Sequence, residues 1–383
     1  MLVLAAALFL VGTNAFVIAG VLPDVAATFD VTTGQAGYAI AWYAGTVAVL
    51  GPLMGMTLAW VPREVMVGGG LALVTLGTAL AALAPGLGTF IGGRAVAAVG
   101  GAALVPTVFA AVPRMVSAAR RGRALALVEL GFALAVAVGA PLGTVLAHVG
   151  SWRLAMLAVT VLAALVTLAA VLVVRGLPPA RRLTPRESAV VLVDHRLLLL
   201  MLTNLLLMVA FNLVYTFSSV IAGDVTEGSG ARLAGLLAVC GVGGLVGTLA
   251  GGPLTDRWGS GRAGVSALAV FLGSVTALVW WHSGPLTWLL FLVLGASSQM
   301  AVVPQLHRLF EVRPAVAGVS TAWNSTAMYV GVAAAPVLGA RLLPGGPGPL
   351  VVGAAVAALA ALVVYVATLD LRLGAERRLG ARP

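Results

Sequence analysis

Lysine is absent from this 383-residue chain: all 22 basic side chains are arginine. Charge of either sign is scarce, at 9% of residues against the quarter that is usual in soluble domains. So little charge excludes a protein whose whole surface faces water. A single cysteine, Cys240, excludes a disulfide framework and a thiolate metal cluster. No HExxH, GxSxG or P-loop sequence occurs, so the residues for zinc proteolysis, a nucleophile elbow and nucleotide hydrolysis are missing. His148, His195, His282 and His307 stand singly near predicted helix ends. The sequence therefore predicts no enzyme chemistry, no metal and no cofactor.

What the chain has instead is apolar length. Hydrophobic residues make up 61% of it, and they gather into twelve runs at 2–22, 35–59, 65–84, 89–113, 124–147, 154–174, 197–222, 233–254, 263–281, 286–307, 315–340 and 350–369. About 20 residues at 1.5 Å rise cross the roughly 30 Å hydrocarbon core. Of the 34 Asp, Glu and Arg residues, only Arg94 and Glu129 fall inside these runs. The fold class read from this is an all-α membrane protein with twelve transmembrane helices. The first run lacks a basic leader and is long for a signal sequence, so it reads as the first span.

A net charge of +10 suggests acidic partners, but the positions of the arginines point elsewhere. With the N-terminus in the cytoplasm, 18 of the 22 fall in inner loops and the tail, and only Arg153, Arg232 and Arg341 fall outside. That asymmetry follows the positive-inside rule. It places both termini in the cytoplasm of a multi-pass inner-membrane protein, with the bilayer rather than nucleic acid as partner. Arginine-only usage with abundant Ala and Gly points to a bacterial source.

Most connections are short; 175–196 is longer and rich in Arg and Pro. It divides the chain into an N-terminal six-helix bundle, 1–174, and a C-terminal one, 197–383. Weak echoes support an internal repeat: GPLMGMTLAWVPRE (51–64) against GGPLTDRWGSGR (251–262), and GTNAFVIAGVLP in span 1 against FNLVYTFSSVIAG in span 7. Paired bundles are common in secondary transporters, which bind substrate near the midplane. Glycines spaced in fours, such as Gly139 and Gly143 or Gly243, Gly247 and Gly251, let helix backbones approach closely.

Residues 252–262 (GPLTDRWGSGR) resemble the loop signature of the major facilitator superfamily, through Gly252, Leu254, Asp256, Arg257, Gly259 and Arg262. The first-half copy keeps Gly55, Pro62 and Arg63 but has Ala59 at the Asp position, Trp60 at the Arg position and Glu64 at the second basic one. GGRAVAAVGGAALVP in span 4 resembles the superfamily's arginine motif, with Arg94 as its arginine and Ala97 where Gln is usual. GFALAVAVGAPLGT in span 5 resembles its antiporter motif through Gly131, Gly139, Pro141 and Gly143. Further similarity to twelve-helix bacterial drug:proton antiporters lies in GTNAFVIAGVLPDVA, FNLVYTF and STAWNSTAMYVG. One departure is Ala15, where that subfamily often carries Glu.

The resemblance implies two pseudo-symmetric bundles rocking about a central site, with Gly55, Arg63, Gly139, Pro141, Gly143, Gly252, Asp256, Arg257, Gly259 and Arg262 shaping the conformational change. Asp256 is expected to dock near the start of span 5, and Pro141, Pro304 and Pro336 to kink their helices. Glu129 is expected either to carry protons or to pair with Arg120, Arg121 or Arg123. Arg94 is expected either to line the cavity, facing substrate, carbonyls or protons, or to reach the outer headgroups; a salt bridge between Arg94 and Glu129 is not expected. The candidate cavity residues are Asn14, Phe16, Tyr43, Asn204, Phe211, Asn212, Tyr215, Gln299, Trp323, Asn324 and Tyr329, with interhelical hydrogen bonding as the alternative for each.

The sequence thus predicts a monomeric, proton-coupled exporter of small lipophilic compounds. A sugar or metabolite exporter, an uncoupled uniporter and a non-transporting sensor or scaffold remain as alternatives.

Overall fold

The structure is a computed structural model. It describes residues 1–58, 60–117, 120–177, 185–281 and 284–380, of which 113, 121–123, 125, 126, 185, 317 and 370–380 only by their backbone. Ala59, Arg181, Arg182 and His282 lie outside the described residues, as do the side chains of Arg121 and Arg123.

The described elements are helices, and their starts carry the expected chemistry. In the first half these are α1 (Leu2–Thr28), α2 (Thr33–Thr57), α3 (Arg63–Ala82) and α4 (Leu87–Ala111), then α5 (Arg121–Leu134, Ala135–Gly139 and Ala140–Val149) and α6 (Trp152–Val173). A short linker helix, Pro185–Val193, leads to the second half. There, α7 spans His195–Thr216, and α8 and α9 are the two arms of Gly230–Ala277. Next come α10 (Leu286–Met300 and Val302–Val312), α11 (Ala317–Leu342) and α12 (Pro347–Gly380).

Thr32 and Gln35 form a reciprocal capping box on α2, and the Asp194 carboxylate accepts the Arg196 amide to cap α7. Among the described residues, eleven stretches are long and apolar enough to cross a membrane. The 48-residue stretch would be about 72 Å long if straight. Gly259 breaks it with φ 77 and ψ 156, a backbone conformation that L side chains rarely adopt. The two arms are therefore separate spans, which makes twelve, and the glycine of the loop signature supplies the turn between them. Helix ends shift by a few residues from the sequence reading; α1 runs on to Thr28 and takes Asp24 with it.

Glycine governs how the spans meet. A Cβ at Gly131 would overlap the Ala5 carbonyl, one at Gly139 the Thr13 side chain and one at Gly143 the Val17 side chain. One face of α5 therefore lies directly on α1. Its opposite side meets α8, where a Cβ at Gly241 would overlap Ala137. Between these contacts α5 widens into a π turn over Ala135–Gly139, in which the Ala140 amide bonds the Ala135 carbonyl. Pro141 has no N–H to offer the Ala137 carbonyl, so the regular ladder is already interrupted there. Pro304 falls just after the break between Met300 and Val302 in α10, whereas α11 runs unbroken through Pro336.

The halves touch through α2 with α11 and α5 with α8, with a smaller contact of α1 with α7. The named contacts lie on the side away from the linker. A Cβ at Gly34 would stand 2.9 Å from Ala340 Cβ, one at Gly37 3.4 Å from Pro336, and one at Gly230 2.8 Å from the His148 ring. Towards the linker face these helices part: nothing lies within 4 Å of a Cβ at Gly51 or Gly252, and Glu129 and Ser325 are exposed. A vestibule thus opens between the halves on the face that carries the linker.

Gly139→Val should drive α5 off α1. Overpacking of this kind costs about 1–3 kcal/mol, so the purified variant is expected to unfold at a lower temperature than the parent chain.

Candidate transport site

Aromatic rings from both halves meet between α1, α5 and α7. Phe132 of α5, Phe16 of α1, and Tyr215 and Phe211 of α7 form a chain with centroid separations of 6.0, 5.7 and 5.4 Å, drawn from both halves. The first two contacts are edge-to-face and the last is stacked, the arrangements that ring quadrupoles favour. Next to this chain is a small cleft lined by residues of four helices, Ala133, Val136, Phe211, Cys240, Ser298 and Gln299 among them. It exists because α8 and α10 approach closely: a Cβ at Gly295 would overlap the Cys240 carbonyl, and one at Gly247 the Ala296 carbonyl. Such a surface offers apolar ring faces with a few hydroxyl and amide groups.

Glu129 stands lower in the vestibule, towards the linker face. It is exposed and makes no hydrogen bond or ion pair among the described residues. Tyr329 of α11, in the opposite half, lies within electrostatic reach of it and of Tyr43. Ser325, one turn nearer the linker face than Tyr329, is exposed. Glu129 thus faces the gap between the halves. Arg120 is exposed, and the side chains of Arg121 and Arg123, the other arginines expected to pair with Glu129, lie outside the described residues.

Arg94 differs from its expected place. It is fully buried, so it neither lines the vestibule nor reaches outer headgroups. Its Nη1 donates to the Asn14 carbonyl at 2.6 Å and to Asn14 Oδ1, and its guanidinium lies 4.4 Å from the centroid of the Tyr43 ring. Asn14 Nδ2 donates to Thr78, whose hydroxyl donates to the Val74 carbonyl at 2.6 Å. Asn14 and Tyr43 are therefore corrected from cavity lining to partners of a buried cation, because satisfying Arg94 turns them into the bundle. The guanidinium Nε and Nη2 have no acceptor. Thr78 carries no motif, and only its position as a hydroxyl in an apolar run hinted at this role.

Four more candidates also serve the packing. Asn204 Nδ2 donates to the Asn324 carbonyl at 3.3 Å, and Gln305 Nε2 donates to the Leu200 carbonyl at 2.8 Å and to Asn324 Oδ1 at 3.4 Å. Asn212 donates to Met208 of its own helix at 2.9 Å. Trp323 is half-buried against the core of the second half. Among the cavity candidates, Phe16, Phe211, Tyr215 and Gln299 come together, whereas Tyr329 packs in a separate buried cluster with Tyr43 and Ala97. Phe132 and Ser298 belong with them but were not singled out by sequence, since a lone Phe or Ser in an apolar run is unremarkable.

In the loop signature, Asp256, Arg257 and Arg262 are exposed. Asp256 makes no hydrogen bond or ion pair among the described residues, and the side chains of Arg121 and Arg123 at the start of α5 lie outside them. Gly252 borders open space and Gly55 is half-buried. Arg63 is buried.

The chain matches the family model of the Major Facilitator Superfamily over residues 4–336. It is 30% identical to the inner membrane transport protein YdhP of Escherichia coli, over 96% of this chain and 95% of the relative. It is 34% identical to a chloramphenicol efflux pump of Mycobacterium tuberculosis, over 72% of this chain and 68% of that protein. A chloramphenicol resistance protein of Streptomyces lividans is 29% identical over 94% of both chains.

Removing the partner of a buried charge costs about 3–5 kcal/mol. Asn14→Leu is therefore expected to reduce the yield of folded protein sharply, while Asn14→Asp, which supplies a counter-charge, retains it. Size-exclusion profiles of the two solubilised variants check this.

Proposed function

This chain belongs to the Major Facilitator Superfamily of transporters, and we propose that it exports small lipophilic compounds, drugs among them, in exchange for protons. The observation that carries the reading is Glu129, an exposed carboxylate of span 5 that has no ion partner among the described residues, with Tyr329 of the other half within electrostatic reach. Three relatives bear names of chloramphenicol efflux or resistance, which supports a drug-like substrate. The aromatic chain offers ring faces and one amide, Gln299, a lining that suits amphipathic, weakly charged molecules.

On this reading the linker face is cytoplasmic and the open vestibule is the inward-facing state. A substrate enters from the cytoplasm and rests against Phe16, Phe211 and Tyr215. Rocking closes the vestibule and brings the walls near Glu129 and Tyr329 together. Desolvating an ionised carboxylate costs several kcal/mol, a cost that the neutral acid escapes. The walls therefore close either around protonated Glu129 or, once its proton has left, around a bound substrate that shields the carboxylate in the proton's place. A proton carried inward on Glu129 leaves to the cytoplasm, the next substrate binds, and the cycle couples entry of a proton to exit of the compound. Ala15 carries no proton, so Glu129 is the acid left for this task. Ala15 also favours the second reading, a uniporter without coupling.

Two experiments test this. In everted vesicles, addition of a transported lipophilic compound is expected to collapse a preset pH gradient, and Glu129→Gln is expected to abolish that collapse. Compound flux that continues unchanged and proton-linked in the variant would falsify the coupling role. In a second test, Gly34→Cys with Ala340→Cys in a cysteine-free background places two thiols where the α2–α11 contact closes. Their Cβ atoms need only about 1 Å more separation to suit a disulfide. Oxidation is expected to stop transport and reduction to restore it. Transport that persists in the fully cross-linked protein would rule out opening at this contact.

A further inference from the structure

The linker-face end of α3 holds a cation that the transport scheme does not use. Arg63, the first residue of α3, is only 5% exposed, and its Nε and Nη1 are buried without an acceptor among the described residues. The adjacent acid does not neutralise it, because Glu64 Oε1 is engaged by the Leu177 amide at 2.6 Å. The charge acting on Arg63 is that of Arg114, of the same sign. A helix N-terminus adds about half a positive charge to this spot. Buried cations in such surroundings are costly unless an anion joins them.

Towards the bilayer centre on the same helix, α2, α3 and α4 enclose an apolar groove of about 420 Å³. Met54, Leu58, Val65, Met66, Gly69 and Leu73 line it, and nothing lies within 4 Å of a Cβ at Gly69. Trp60, 70% exposed in the loop that precedes Arg63, marks the headgroup level at which aromatic side chains collect. A cation at headgroup depth with an empty apolar groove beneath it has the polarity of a phospholipid. Basic pockets of this kind between spans suit anionic headgroups.

We propose that Arg63 and this groove form one binding site for an anionic phospholipid of the leaflet on the linker face. The phosphate sits against Arg63, near Arg114 and the start of α3, and an acyl chain lies in the groove between α2 and α3. The charge chooses the headgroup, and the groove distinguishes a lipid from free phosphate.

The test uses the full chain in a neutral detergent, with thermal unfolding and native mass spectrometry as readouts. The probes are phosphatidylglycerol, phosphatidylcholine and inorganic phosphate, and the variants are Arg63→Gln and Gly69→Trp. Phosphatidylglycerol is expected to raise the unfolding midpoint and remain as a one-to-one adduct, while the other two probes do neither. Both variants are expected to lose that adduct. Without lipid, Arg63→Gln is expected to unfold no earlier than the parent chain, since it removes an unsatisfied buried charge. Persistence of the adduct in both variants overturns the proposal, as does equal stabilisation by phosphatidylcholine or by phosphate alone. Earlier unfolding of lipid-free Arg63→Gln also overturns it, because Arg63 then has a structural partner.

Discussion

The close approach of α5 to α1 on one side and α8 on the other underlies the rest of this structure. In lipid, an apolar side chain gains nothing by leaving its surroundings for another apolar surface, so helices are held by contact at short range and by hydrogen bonds. Gly131, Gly139 and Gly143 bring α5 onto the backbone and side chains of α1, and Gly241 brings α8 onto the π turn of α5. The first contact builds the N-terminal half; the second joins it to its counterpart. Small residues let the helices meet at this joining contact, with Leu237 reaching towards Gly20 of α1 and the His148 ring lying on Gly230.

Polar groups inside the spans divide by what surrounds them. Arg94, Asn14 and Thr78 satisfy much of one another's hydrogen bonding, as do Asn204, Gln305 and Asn324, and each set ties three helices together. Groups without such partners mark places where something else is to arrive. Glu129 stands at the gap between the halves, and Arg63 stands at the membrane edge. On the proposed readings a proton comes to the first and a lipid phosphate to the second.

Much of the architecture was legible because the bilayer sets strict terms. A run of about 20 apolar residues has few fates other than crossing, and Gly259 and the glycines of span 5 announced a turn and a tight seam. The site was only partly legible. Phe16, Phe211, Tyr215 and Gln299 were picked out as polar or aromatic residues in apolar runs and do come together. By the same criterion Asn14, Tyr43, Asn204 and Asn324 were picked out, and they turn into the bundle. Position along a helix tells how deep a side chain lies but leaves open which neighbour it meets, because a rotation of one residue, about 100°, moves it from a cavity to a seam.

The sequence by itself determined the solvent of this protein, the number of its spans, the expected sidedness of its loops and the seams where glycine permits contact. These follow from local chemistry: hydropathy over a window, charge between windows and the absence of a Cβ. Only the tertiary structure decided that Arg94 is buried against Asn14, that Glu129 comes within electrostatic reach of Tyr329, and that Glu64 accepts from Leu177. Each of these depends on residues from 80 to 200 positions apart meeting in space, and the energy of a charge is set by those neighbours rather than by its place in the chain.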